Sequence, residues 1–257
     1  MNNDCFALLL SLAAGLCTGF GGLVVISARQ NARRLLPFSL GFAAGVMIMV
    51  SLADILPESA AFIGQSVRPQ AAGVYALLAM VFGIILAALG AGALPEQTDW
   101  IRPVSAAPPG LARVGLVTMV AVVAHNIPEG VATYMAGCGE RSLGISVAAA
   151  IALHNIPEGI SVAIPVYYAT GSKGKGLLCA VISGLGEPLG ALLALVILRP
   201  FLTSLSLGAI LGIVAGIMLF VSFNELIPSA LRYGKKTPIA GIMLGLLVMG
   251  LGLAWFS

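Results

Sequence analysis

Long apolar runs separated by short polar connections dominate this chain. A helix of about 20 apolar residues is long enough to cross the ~30 Å hydrocarbon core of a bilayer. Inside lipid, only helices and closed barrels satisfy all their backbone hydrogen bonds. The pattern therefore predicts an all-α integral membrane protein with eight transmembrane helices and no soluble domain. The predicted spans cover residues 5–27, 36–57, 72–92, 111–136, 143–168, 177–198, 205–227 and 238–256, approximately.

Composition supports a membrane protein and argues against a nucleic-acid partner. The 257 residues are 59% hydrophobic and only 9% charged, whereas soluble domains carry roughly 25% charged residues. The net charge is +3, and the basic residues lie in short loops. They form no basic patch interleaved with aromatic residues, which nucleic-acid binding would require. The longest connection, residues 93–110, is rich in Pro and Ala and is predicted to be a loop. Membrane lipids are the expected surroundings.

The basic residues between the spans predict the orientation of the chain in the cell (inner) membrane. Cytoplasmic loops of membrane proteins carry an excess of Lys and Arg. If the N-terminus lies outside, three of the 13 basic residues fall in outer loops, and the rest fall in or beside inner loops. Both termini are therefore predicted to be extracytoplasmic. The inner set is Arg29, Arg33, Arg34, Arg102, Arg113, Lys173, Lys175, Arg232, Lys235 and Lys236, and the outer set is Arg68, Arg141 and Arg199.

An internal repeat relates the two ends of the chain. Residues 44–57 align with residues 215–228 at a constant offset of 171 positions, and at this offset Gly15 of the first span meets Gly186 of the sixth. The second and seventh spans cross the membrane in opposite directions, so the repeat has inverted topology, as in many secondary transporters. The predicted plan is a 3+2+3 arrangement: three helices, a central pair, and three helices again.

The central pair of spans carries one six-residue motif twice. The sequence His-Asn-Ile-Pro-Glu-Gly occupies residues 125–130 and again residues 154–159, and it contains both histidines of the chain. Residues four apart share one face of a helix, so the histidine and glutamate of each copy project together and the asparagine can reach them. Imidazole and carboxylate ligands suit zinc and other first-row divalent ions. The candidate ligands are His125, Asn126, Glu129, His154, Asn155 and Glu158.

Three carboxylates are predicted to lie deep in the membrane. Glu129, Glu158 and Glu187 fall near the middle of their spans, where no Lys or Arg is available to pair with them. A bound cation or protonation is then needed to neutralise them. A structural alternative remains open, because such side chains can also make hydrogen bonds between membrane helices.

Polar pairs near the span ends are candidates for an ion pathway. Asp54 and Glu58 lie toward the outer end of the second span, and Asn224 and Glu225 lie toward the inner end of the seventh. Asp54 and Glu225 are mates in the internal repeat. We interpret these residues as entrance and exit ligands on either side of the central site. The alternative is that they cap helices at the membrane surface.

Paired HNxPEG motifs on the fourth and fifth of eight spans resemble the ZIP (Zrt/Irt-like) metal transporter family, over essentially the whole chain. The resemblance implies import of zinc, and of iron, manganese or cadmium, into the cytoplasm through a binuclear site formed by the six motif ligands. It places Glu187 at the acidic position of the sixth span. The metal would be the transported substrate, and no resident cofactor is expected. Dimers occur in the family, so a homodimer is compatible with the resemblance. Many relatives carry a histidine-rich loop between the third and fourth spans, and residues 93–110 contain no histidine.

Two other function classes fit the sequence less well. An intramembrane metal-dependent hydrolase would also bury histidines and carboxylates. However, HExxH enzymes place a glutamate next to the first histidine, where this chain has Asn126 or Asn155, and a nucleophile is not evident. A metal sensor would need a cytosolic domain. We therefore expect a secondary transporter and no enzyme activity, with proton coupling and facilitated flow both left open.

Overall fold

The chain forms an all-helical bundle in which every regular element of the described residues is a helix. The structure is a computed structural model. It describes residues 2–27, 35–93, 100–104, 107, 110–198, 201 and 203–256.

Eight helices of the described residues are long and apolar enough to cross a membrane, which confirms the prediction of eight spans. We number them α1 to α8 in chain order. Their bounds are Asn3–Val25, Leu36–Gly64, Pro69–Ala93, Leu111–Gly139, Arg141–Thr170, Lys173–Ile197, Ser204–Tyr233 and Lys236–Trp255.

Four of the basic residues that predict the orientation, and part of the predicted loop at residues 93–110, lie outside the described residues. Both termini being extracytoplasmic therefore stays a prediction. The positions concerned are Arg29, Arg33, Arg34 and Arg199, together with residues 94–99, 105–106 and 108–109 of the longest connection.

Helices α2 and α7 continue beyond residues 57 and 227, where their spans were predicted to end. α2 runs through Pro57 to Gly64, and α7 runs through Pro228 to Tyr233. In each helix a π turn precedes the proline, so that the N–H of Leu56, for example, bonds to the carbonyl five residues earlier. A proline normally clashes with the preceding turn of an α-helix. We attribute the tolerance to the wider π turn.

The two π turns support the inverted repeat. They cover Ser51–Ile55 and Ser222–Leu226, and their positions differ by the same 171 residues as the sequence repeat. The first serine of each turn donates to the carbonyl oxygen of the methionine four residues earlier, at 2.7 and 2.8 Å. Equivalent positions therefore adopt the same uncommon local structure, and π turns of this kind often mark functional sites.

Helix packing follows the same two-fold pattern. α1 packs on α5 while α6 packs on α4, and α8 packs on α2 while α3 packs on α7. Exchanging the halves of the chain exchanges these contacts, so the repeat extends to α3 and α8. Within an apolar 18-residue stretch of each helix, only 17% of the residues of α3 and 22% of those of α8 are buried, against 56% for α4 and α5. α4 and α5 therefore lie inside the bundle, and α3 and α8 lie at its periphery.

Candidate metal centre

The duplicated motif lies at the contact of α4 and α5, inside the bundle. Both helices continue through the motif prolines, Pro128 and Pro157. Opposite directions of the two helices bring their motifs to the same depth. All six candidate ligands are buried, with exposed fractions of 4% or less. They are His125, Asn126, Glu129, His154, Asn155 and Glu158.

Glu129 is at the centre of the cluster. Its Oε1 atom lies 2.9 Å from Nε2 of His154 and 3.1 Å from Nε2 of His125. Glu158 approaches from α5, with Oε1 3.2 Å from the same His125 nitrogen. One ligand atom from each of His125, Glu129 and His154 can be chosen so that all three lie within 4.8 Å of one another. This arrangement matches the spacing needed to hold a metal ion.

The two asparagines are oriented by hydrogen bonds to α1 and α6, which pack against each other. Asn126 donates from Nδ2 to the carbonyl oxygen of Ser183 in α6, at 3.0 Å. Asn155 donates from Nδ2 to the carbonyl oxygen of Ala14 in α1, at 2.9 Å, and to Oε2 of Glu187, at 2.8 Å. The amide groups are thereby occupied as donors. The asparagine oxygens remain available as acceptors or metal ligands.

Many buried polar atoms of the cluster have no hydrogen-bond partner within the described part of the chain. Leaving such an atom unpaired costs about 1–3 kcal/mol, and more for a charged group. Most of these atoms are oxygens, which can accept a proton or bind a cation. The unpartnered atoms are Nδ1 of His125 and His154, Oδ1 of Asn126 and Asn155, Oε2 of Glu129 and Glu158, and Oε1 of Glu187.

Two adjoining cavities connect the cluster with one end of the bundle. The first has a volume of about 430 Å³ and is lined by Asp54, Glu58, Glu129 and His154, among others. The second, of about 440 Å³, shares Glu58 with the first and extends to Thr203 at the start of α7. We call the two cavities together the vestibule. Asp54 and Glu58 therefore lie between the buried cluster and the vestibule end of the bundle.

Glu225 and Asn224 lie on the other side of the cluster, toward the opposite end of the bundle. Oε1 of Glu225 lies 3.1 Å from an Arg113 guanidinium nitrogen and accepts a hydrogen bond from Asn224 at 3.2 Å. The other terminal nitrogen of Arg113 donates to the carbonyl oxygen of Ala91, at 2.9 Å. In the sequence, Arg113 stands out only as one of the inner-loop charges. A basic residue in the first turn of an apolar span would have been the signal for this contact.

The motif glycines were also missed as functional positions. A Cβ atom at Gly130 would overlap the carbonyl oxygen of Glu187 in α6, and one at Gly159 would overlap that of Thr18 in α1. Small residues of this kind allow membrane helices to approach closely. Each motif therefore specifies its ligands and also the close packing of the helix that carries them.

Comparison with known proteins agrees with this geometry. A model of the ZIP zinc transporter family matches residues 105–252, which include both motifs. The chain is 40% identical over 256 residues to the zinc transporter ZupT of Streptococcus mutans, covering 97% of each chain. It is 41% identical over 263 residues to the zinc transporter ZupT of Chlorobium luteolum, covering 98% of each. With the zinc transporter ZupT of Corynebacterium efficiens it shares 41% over 265 residues, covering 99% of this chain and 98% of that one.

The chain therefore belongs to the ZIP zinc transporter family. Membership makes it a multi-pass membrane transporter of the metal-ion class and not an enzyme, which excludes the intramembrane hydrolase. The resemblance inferred from the paired motifs is confirmed.

Proposed function

We propose that this transporter imports divalent metal ions, zinc first, through the buried cluster between α4 and α5. The observation that supports this most directly is the set of buried ligand atoms without partners. A divalent cation would satisfy these atoms and neutralise the carboxylates at the same time. The printed names of the relatives point to zinc. A mixed nitrogen and oxygen ligand set also suits iron, manganese and cadmium, so the same site would serve these ions.

The number of ligands supports a binuclear site. Zinc in proteins takes about four ligands, and this cluster offers seven candidate side chains, which is more than one ion needs. One group is formed by the histidines with Glu129. The other contains the asparagine oxygens and Glu187, and Glu158 completes the set. Glu129 and Glu158 are the natural bridges, since each offers two carboxylate oxygens. The proposed ligands are His125, Asn126, Glu129, His154, Asn155, Glu158 and Glu187.

The proposed path runs from the vestibule to the opposite end of the bundle. Metal enters past Glu58 and Asp54, whose carboxylates line the cavity that reaches His154. It leaves past Asn224 and Glu225 when the two repeat units rock about the site. With both termini extracytoplasmic, the vestibule opens outward and transport delivers metal to the cytoplasm. We also propose that α3 and α8 contact membrane lipids. A homodimer is the proposed assembly.

Uptake of metal into proteoliposomes tests the proposal. Zn²⁺, Mn²⁺, Fe²⁺ and Cd²⁺ are offered singly and then in competition to the native protein, His154→Ala and Glu158→Ala. We expect uptake by the native protein that is lost or re-ranked in both variants. Glu140→Gln changes an exposed carboxylate at the α4–α5 junction and serves as the matched control. Absence of uptake by folded native protein would refute the proposed function.

A further inference from the structure

An ion pair joins α4 and α7 at the end of the bundle opposite the vestibule. Arg113 lies in the first turn of α4, which follows Gly110 with its left-handed φ of +78°. Glu225 lies in the π turn of α7. Their nearest atoms are 3.1 Å apart, and the exposed side-chain fractions are 29% for Arg113 and 6% for Glu225. The hydrogen bond from Arg113 to Ala91 attaches α3 to the same point.

Apolar side chains lie on the cluster side of this pair, around a cavity of about 210 Å³ between α3, α4 and α7. Val117 lies one helical turn beyond Arg113, and Val221 lies one turn before Glu225. Both valines are buried, with exposed fractions of 3% and 1%. Arg113 precedes His125 by 12 residues, which corresponds to about 18 Å along an α-helix. The cluster thus communicates with the vestibule, while α4 and α7 are held together at the other end.

The inverted repeat shows that this ion pair has no counterpart at the vestibule. Asp54 occupies the position equivalent to Glu225, and within the described ranges it makes no hydrogen bond or ion pair. The motif offset of 29 residues between α4 and α5 places Ser142 at the position equivalent to Arg113. The neighbouring Arg141 contacts Asn3, at 3.3 Å, and so is engaged elsewhere. Arg113 therefore breaks the symmetry between the two ends of the transporter.

We propose that Arg113 is a gating residue that holds the Glu225 carboxylate until a transported metal ion replaces it. The guanidinium acts as a tethered cation, and its pairing with Glu225 favours the arrangement in which α4 and α7 stay together. A leaving divalent ion offers the carboxylate a stronger positive charge, Arg113 is released, and this end opens. Without metal, the same pair favours the arrangement in which only the vestibule is open. This inference rests on the proposed path through Glu225.

Cysteine labelling at the two ends tests the gate. Val117→Cys reports the closed end and Ala132→Cys reports the vestibule, which Ala132 lines. Each reporter is placed in a full-length chain whose native cysteines are replaced by serine and whose zinc uptake has been verified. A charged, water-soluble maleimide is applied to detergent-solubilised protein, so the orientation of the chain does not matter. Labelling rates are compared with and without Arg113→Gln.

The gate predicts opposite changes at the two reporters. Arg113→Gln should raise the labelling rate of Val117→Cys about tenfold, since the loss of one hydrogen bond between charged groups shifts an equilibrium by about that factor. The same change should lower the labelling rate of Ala132→Cys. Arg113→Lys should retain part of the native behaviour. Arg232→Gln, an exposed basic residue near the same end, should change neither rate. Equal rates in native and Arg113→Gln protein would overturn the inference.

A general loosening of the fold is distinguishable, because it would raise both labelling rates, and that result would also overturn the gate. The proposed function fails separately, if native protein takes up no metal. Metal uptake combined with unresponsive reporters would refute only the role of Arg113.

Discussion

The close approach of α4 to α6 makes Gly130→Ala a sharp test of how the metal centre is held. The added Cβ would overlap the carbonyl oxygen of Glu187. Restoring an ordinary carbon–oxygen contact of ~3.3 Å requires the two helices to separate by about 1.5 Å. Overpacking of this kind typically costs roughly 1–3 kcal/mol of folding free energy. Because Glu129 precedes Gly130 directly, the separation also displaces a central carboxylate.

We expect Gly130→Ala to reduce the rate of zinc uptake strongly while the protein stays folded. A displacement of ~1 Å at a reacting or binding centre can reduce a rate by about 10²-fold. The assay combines zinc uptake into proteoliposomes with thermal unfolding of the purified protein. Gly139→Ala is the matched control on the same helix, since a Cβ there would meet nothing within 4 Å. Native uptake and an unchanged unfolding temperature in Gly130→Ala would refute the packing argument.

Three further predictions follow from the cluster and the vestibule. Zinc at 100 times its Kd should stabilise the native protein by about 2.7 kcal/mol and so raise its unfolding temperature. This rise should be lost in Glu129→Gln, and an equal rise in both proteins would contradict the proposed site. Asp54→Asn should raise KM for zinc uptake with little change in maximal rate, because a carboxylate in a cavity concentrates cations; an unchanged KM would remove Asp54 from the path. Ser59→Ala should lower stability by about 1 kcal/mol without altering uptake, since Ser59 only donates to the Gly208 carbonyl at 2.6 Å, and a loss of uptake at native stability would contradict that structural role.

The spans and the cluster of candidate ligands were predictable because each rests on a strong local signal. Hydropathy alone defines eight membrane helices. The i,i+4 spacing of two identical motifs indicates which side chains share a face, and the structure brings His125, Glu129, His154 and Glu158 together. Depth in the span likewise predicted the burial of Glu187, which is fully buried beside Asn155.

The remaining features depend on contacts between distant parts of the chain. Arg113 and Glu225 are 112 residues apart, so the position of Arg113 in the first turn of its span does not identify the partner. The predicted end of α2 at Pro57 missed the π turn before it and the continuation to Gly64, because the apolar pattern that predicts a span does not show a change of helix type. The role of Gly130 becomes visible only when the Glu187 carbonyl of α6 is placed against it. Each of these requires the packed bundle.

The position of bound zinc tests the central claim most directly. Anomalous X-ray diffraction from crystals of zinc-loaded native protein would locate the metal without reference to transport kinetics. The account predicts zinc between α4 and α5, at about 2.0–2.2 Å from Nε2 of His154 and from a Glu129 carboxylate oxygen. It also predicts loss of this peak in Glu129→Gln. Zinc found only at exposed positions such as Glu140, with none between the two motifs, would contradict the account.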